Sequence, residues 1–87
     1  MKLNIDQLKK KIIYRSNYRG TKEMDKLLGA FTNTYIDELN IDDLIDLEKL
    51  LDIDDNSLYD FYNGVPSKVD LKDNYINSLF KNFKYTK

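Results

Sequence analysis

Two residue types are missing altogether from this 87-residue chain: cysteine and histidine. Without cysteine there is no disulfide, no thiolate metal site and no cysteine nucleophile. Without histidine the commonest general base and the commonest metal ligand are gone. Carboxylates, hydroxyls, tyrosines and lysines remain, and no spacing among them forms a catalytic set. The expectation is a protein that is not an enzyme, with no catalytic residue, no metal site and no cofactor of its own.

An excess of one charge is also lacking. Fourteen basic residues stand against fifteen acidic ones, for a net charge of −1 and a pI near 5.3. That balance gives no electrostatic footprint for nucleic acid. No uninterrupted apolar run exceeds three residues, far short of a membrane span. The opening Met1-Lys2-Leu3-Asn4-Ile5-Asp6 has no signal-peptide core, and its early acid argues against a mitochondrial transit peptide. A cytoplasmic protein, neither membrane-inserted nor bound to nucleic acid, is expected.

What is present is an ordinary globular balance, 41% hydrophobic and 33% charged, which argues against disorder. The length suits one domain, residues 1–87, with a single thin core and little room for a deep cleft. Glycine occurs only at 20, 29 and 64, and proline only at 66, so each interruption is informative.

Five helices can be read between these marks. The first opens on Asn4 and runs to about Tyr18, with Leu8 and Ile12 inward beside Ile13 or Tyr14. The second starts at Gly20 or Thr21 and carries the clearest stripe: Met24, Leu27, Leu28, Phe31 and Tyr35. The third opens with Asn40 or Asp42 and carries Ile41, Leu44, Ile45, Leu47, Leu50 and Leu51 on its inner stripe. Its acids Asp42 and Asp43 suit the positive end of the helix dipole. The fourth is short, capped by Asp55, turning Leu58, Phe61 and Tyr62 inward and ending at Gly64. Val65-Pro66-Ser67 reads as a loop. The fifth runs from about Asp70 to Phe83, with Ile76, Leu79, Phe80 and Phe83 on one face. No segment alternates with period two. The expected fold is all-α, a compact single-domain five-helix bundle, with Leu28, Phe31, Leu44, Leu47, Leu51, Phe61, Ile76 and Phe80 buried.

Twelve of the fourteen basic residues are lysine, and the only arginines are Arg15 and Arg19. The wealth of Lys, Asn, Ile, Asp and Tyr fits an AT-rich genome, where arginine yields to lysine wherever lysine serves. Retained arginine points to a need for the planar fork that binds carboxylates and carbonyls bidentately. The two lie one helical turn apart near the end of the first helix, followed by Gly20 and Glu23. A plainer account makes them complements to the dipole of the first helix, with Glu23 reaching back to the Gly20 amide in a capping box. Gly20 itself is explained either by a hinge at positive φ or by a partner surface that docks close against it, the favoured reading, under which alanine would be nearly neutral for folding. Asp52, Asp54 and Asp55 lack the ligand ring of a calcium loop and read as a capping turn. The seven tyrosines read as half-buried packing residues with wet hydroxyls.

The stretch Tyr14-Arg15-Ser16-Asn17-Tyr18-Arg19-Gly20-Thr21-Lys22-Glu23-Met24-Asp25-Lys26-Leu27-Leu28-Gly29-Ala30-Phe31 resembles the signature of the SdhE/YgfY family, bacterial relatives of the mitochondrial succinate dehydrogenase flavinylation factor. The signature is Arg-Gly-x-x-Glu, then an acid two residues on, a leucine pair and a phenylalanine. Asp54-Asp55-Asn56-Ser57-Leu58-Tyr59-Asp60-Phe61-Tyr62-Asn63-Gly64 resembles the family's Asp-x-x-Leu-Tyr/Phe-x-Trp/Phe segment. Many relatives have arginine where this chain has Tyr18, and tryptophan where it has Phe61.

The resemblance implies a five-helix assembly factor that binds the flavoprotein subunit of succinate dehydrogenase, with the fumarate reductase flavoprotein as a second candidate. It also implies that the factor promotes covalent attachment of FAD to a histidine of that partner. FAD then belongs to the partner, and no dinucleotide fingerprint in this chain speaks for direct contact. The partner-binding residues it implies are Arg19, Gly20 and Glu23, with Arg15, Tyr18, Thr21, Lys22 and Asp25 around them. Arg19 is expected to be exposed, with its guanidinium available to the partner, and the chain to be a monomer. The alternative is a generic helical interaction module, regulatory or toxin-neutralising. A DNA-binding domain fits poorly, because Glu23 and Asp25 stand beside Lys22 and Lys26 on the second helix.

Overall fold

The structure is a computed structural model that describes residues 4–65 and 74–84. Five helices follow one another: α1 (Ile5–Asn17), α2 (Lys22–Tyr35), α3 (Ile41–Leu51), α4 (Asp55–Tyr62) and α5 (Tyr75–Asn82). There is no strand among the described residues. The all-α expectation holds.

Every helix opens on a side-chain cap. Asn4, Thr21, Asn40, Asp54 and Asn74 sit in extended backbone, and each accepts a hydrogen bond from the amide three residues on. This satisfies one of the four amides that a helix start leaves without a partner. The fourth cap corrects the sequence reading. Asp54, not Asp55, caps α4, and Asp55 is its first helical residue, which frees the Asp55 carboxylate for another use. The α4 C-terminus ends as expected, with Gly64 at φ 73°. There the Gly64 amide donates to Phe61 O and the Val65 amide to Asp60 O, which closes a Schellman turn. Pro66 and Ser67 of the expected loop, and the expected start of α5 near Asp70, lie outside the described residues. Within them α5 opens at Asn74.

The core is made by the inner stripes meeting. Ile12, Leu28, Phe31, Leu44, Leu47, Leu58, Ile76 and Phe80 are fully buried, with Leu50 and Leu51 beside them. The helix α1 packs against both α2 and α3, while α5 lies across α3 and α4. Phe31 is an aromatic hub, meeting Tyr35, Phe80 and Phe83 edge to face at 5.3–5.5 Å. Tyr62 donates its hydroxyl to Phe83 O, tying α4 to the end of α5.

Several expected inward residues lie at the margin of the core, Tyr35, Ile41, Tyr62, Leu79 and Phe83 among them. Phe61 is only half-buried, stacked on Phe80 with Lys81 Nζ 5.8 Å from its ring. Ile45 is half-buried too. Beside α1's core stripe, Ile13 packs against the core while Tyr14 stands in solvent. These positions fall on the margins of their helical stripes, where periodicity fixes the side of the helix but not which neighbour reaches it.

One polar pair lies inside. Ser16 and Thr32 are fully buried, with their hydroxyl oxygens 2.6 Å apart between α1 and α2. Ser16 gives its single proton to Ile12 O at 2.8 Å, so Thr32 supplies the proton of the hydroxyl pair. The bond sets the register of α1 on α2 in a way that apolar side chains alone do not.

A two-arginine clamp and the exposed corner beside it

The chain turns from α1 to α2 through Tyr18, Arg19, Gly20 and Thr21. Thr21 caps α2, its hydroxyl accepting from the Met24 amide. One turn on, the Asp25 carboxylate accepts the backbone amide of Arg19, which holds the corner closed. Asp25 is therefore a corner residue, half-buried in this role.

The Arg19 side chain runs inward instead of outward. Its Nε donates to Asp55 Oδ1 at 2.8 Å, Nη1 to Leu51 O at 2.6 Å and Nη2 to Ile53 O at 2.6 Å. Only 10% of the side chain is exposed, and 20% of Asp55's. The expectation of an exposed Arg19 guanidinium is thus overturned. The reason is geometric: α3 ends beside the corner with carbonyls that no helical amide reaches, and a planar fork satisfies two of them and a carboxylate together.

Arg15 reaches the same helix end from one turn earlier, through a single nitrogen. Its Nη2 donates to Leu51 O at 3.1 Å and to Asp52 Oδ1 at 2.6 Å. Both guanidiniums therefore complement the dipole of α3, and Arg15, in the last turn of α1, stands at the negative end of that helix as well. The fork that the scarcity of arginine pointed to is real, and its carboxylates and carbonyls belong to this chain.

Gly20 completes the cluster. Its amide donates to Asp55 Oδ2 at 2.8 Å, so each oxygen of that carboxylate serves one of two neighbouring residues. Gly20 does not have positive φ, which removes the hinge reading. A Cβ built on Gly20 would stand 2.8 Å from Asp55 Oδ2, closer than such atoms approach. A surface does come close, but it is this chain's own, the start of α4, where the docking reading looked for a partner's. The capping box fails for the same reason, since the Gly20 amide is given to Asp55. Glu23 is exposed on the first turn of α2 and makes no ion pair or hydrogen bond among the described residues.

The three acids at the α3–α4 turn have separate tasks. Asp52 pairs with Arg15, Asp54 caps α4 and Asp55 holds Arg19 and Gly20. The Ser57 hydroxyl and amide beside Asp54 hold its carboxyl below the usual carboxylate range. Among the described residues no group of three or more acids is placed to hold a metal. No helix there is long and apolar enough to cross a membrane.

Of the eight residues singled out in the sequence, Arg15, Arg19 and Asp25 are thus drawn into the fold. Tyr18, Gly20, Thr21, Lys22 and Glu23 remain exposed in one short run. Sequence reasoning missed Asp55 as the partner of Arg19. Its one signal was that both residues lie in the segments that carry the family resemblance.

A single family match spans both segments. The family described as flavinator of succinate dehydrogenase, Sdh5, matches residues 10–84. An FAD assembly factor SdhE of Acetobacter pasteurianus is 33% identical over 61 residues, covering 70% of this chain and 56% of that protein. A mitochondrial succinate dehydrogenase assembly factor 2 of Dictyostelium discoideum is 32% identical over 77 residues, covering 88% of this chain and 52% of its own. The chain thus spans about half the length of these two curated relatives. No solved structure matches it significantly. With residues 10–84 matched, clamp and corner included, the chain belongs to the Sdh5 family of succinate dehydrogenase flavinators.

Proposed function

We propose that this chain is an assembly factor that binds the flavoprotein subunit of succinate dehydrogenase and promotes covalent attachment of FAD to it. The observation that carries the reading is the convergence of the two motif segments. Arg19 and Gly20 from one and Asp55 from the other form a single cluster, which stiffens an exposed edge of Tyr18, Gly20, Thr21, Lys22 and Glu23. A rigid edge loses little conformational entropy on docking. The flavoprotein of fumarate reductase is a second client on the same reading.

The role is not that of an enzyme. A histidine receives the flavin in the reaction the resemblance implies, and this chain has none, so that group is the partner's. FAD is likewise the partner's. The factor acts by binding best to the conformer in which the partner's own groups stand in reactive geometry, since positioning lowers a barrier without a donated group. It works as a monomer in the cytoplasm.

Co-expression with a succinate dehydrogenase flavoprotein tests this directly. Covalent flavin, scored by in-gel fluorescence, rises when the chain is present, and the two proteins co-purify. Equal flavinylation with and without the chain, and no co-purification, would return it to a helical interaction module with another client.

A further inference from the structure

Two successive amides at the α1–α2 corner are held by carboxylates. The Arg19 amide donates to Asp25, one turn into α2, and the Gly20 amide donates to Asp55 Oδ2 at 2.8 Å, on the first turn of α4. Asp25 belongs to the helix that the corner leads into, so its bond is local. Asp55 lies 35 residues further on, and its bond fastens the corner to a separate helix. Residues 18–21 join α1 to α2, and whatever freedom they keep must be given up when a partner docks on them.

The same contacts sort the corner's residues by what each has left to offer. Arg19 commits Nε, Nη1 and Nη2 to Asp55, Leu51 O and Ile53 O. Thr21 Oγ1 accepts from the Met24 amide. Tyr18, Lys22 and Glu23 are exposed, and neither Lys22 nor Glu23 makes an ion pair among the described residues. These three side chains leave the backbone on either side of Arg19 and Gly20, so their directions relative to one another follow from how those two residues are held. Gly20 fits the same account. Its φ is not positive, and the atom that a Cβ would strike is Asp55 Oδ2, at 2.8 Å.

We propose that Asp55 is a positioning residue for flavoprotein binding. It touches no group of the partner, and it holds Arg19 and Gly20 so that Tyr18, Lys22 and Glu23 stand ready to do so. This deepens the reading above and rests on it. Without the carboxylate the corner reaches its docking form only part of the time, and the apparent affinity falls by that fraction. Gly20 is bare, on this account, to admit Asp55 and not to admit the partner.

Titration of a purified succinate dehydrogenase flavoprotein with the intact chain and a set of variants tests it, at a temperature where each variant is fully folded by its own thermal melt. Asp55→Ala is expected to weaken binding by about tenfold. Asp55→Asn, which keeps the shape and one accepting oxygen, weakens it by about threefold. Gly20→Ala costs about threefold or more in the parent but less than about twofold in the Asp55→Ala background, where the obstacle is gone. Ile76→Val, which loosens the core from α5, stays within about twofold of the parent. Should Asp55→Ala not fold, Asp55→Asn set against Ile76→Val carries the test alone. Unchanged affinity in the Asp55 variants that fold overturns the proposal, while the proposed function stands. Equal losses for Gly20→Ala in both backgrounds overturn it too, because the partner itself would then need the glycine. A loss for Ile76→Val that matches the Asp55 variants makes the effect one of stability, and the proposal fails. If the parent does not bind the flavoprotein, the proposed function fails and takes this inference with it.

Discussion

Asp55 holds Arg19 Nε on one carboxylate oxygen and the Gly20 amide on the other, each at 2.8 Å. Through that one side chain the first turn of α4 is fastened to the α1–α2 corner, across 35 residues of sequence. Two consecutive residues and a carboxylate thus behave as one unit, and substitutions in it have coupled effects.

Arg19→Lys tests the fork. Lysine keeps the charge, but a single ammonium cannot reach Asp55, Leu51 O and Ile53 O in the plane that the guanidinium spans. The variant should lose about 1–3 kcal/mol in urea unfolding, the cost of leaving buried acceptors unmet. Arg19→Ala should lose more, about 3–5 kcal/mol, because it strands a largely buried carboxylate. A lysine variant as stable as the parent would show that the clamp contributes nothing beyond charge.

Gly20→Ala tests the close approach. Its Cβ must displace a carboxylate that is held at both oxygens, so a loss of about 1 kcal/mol or more is expected. In an Asp55→Ala background the obstacle is gone, and the same substitution should fall within about 0.5 kcal/mol of neutral. Equal costs in both backgrounds would place the requirement for glycine in the backbone and not in Asp55.

The hydroxyl pair in the core gives a third expectation. Ser16→Ala leaves the Thr32 hydroxyl buried without its acceptor and should cost about 1–3 kcal/mol. Thr32→Val, which removes the donor and keeps the shape, should cost less. The double variant should be less destabilised than the sum of the two, measured by the same unfolding curves. Strict additivity would mean that the 2.6 Å contact carries no energy.

Acid stability should depend on Asp54. Its carboxyl is held below the ordinary range by the Ser57 hydroxyl and amide, so the ionised form is the one the fold favours. The stabilisation is therefore fully present above the unfolded-state value near ~4 and is lost as pH falls through the lower folded-state value. Asp54→Asn keeps a cap of similar quality and removes the titration, so its stability should fall less steeply below pH ~4. Carbon NMR of the Asp54 carboxyl should show the depressed midpoint directly.

The sequence by itself determined the helices. Side-chain caps, apolar stripes and Gly64 act within a few residues of one another, so Leu28, Phe31, Leu44, Leu47, Leu51, Ile76 and Phe80 could be placed in the core before any fold was known. The scarcity of arginine also pointed to a need for the planar fork, which Arg19 uses with all three nitrogens and Arg15 does not, since both its bonds leave Nη2. Only the tertiary structure decided what the two guanidiniums hold. Arg19 meets Asp55 and the end of α3 because three helices pack to bring a turn and a corner together, and nothing in the spacing of residues 19 and 55 records that. The one-residue shift of the α4 cap from Asp55 to Asp54 had the same origin. Either aspartate can cap a helix locally, and it was the distant Arg19 and Gly20, competing for a carboxylate, that settled which one did.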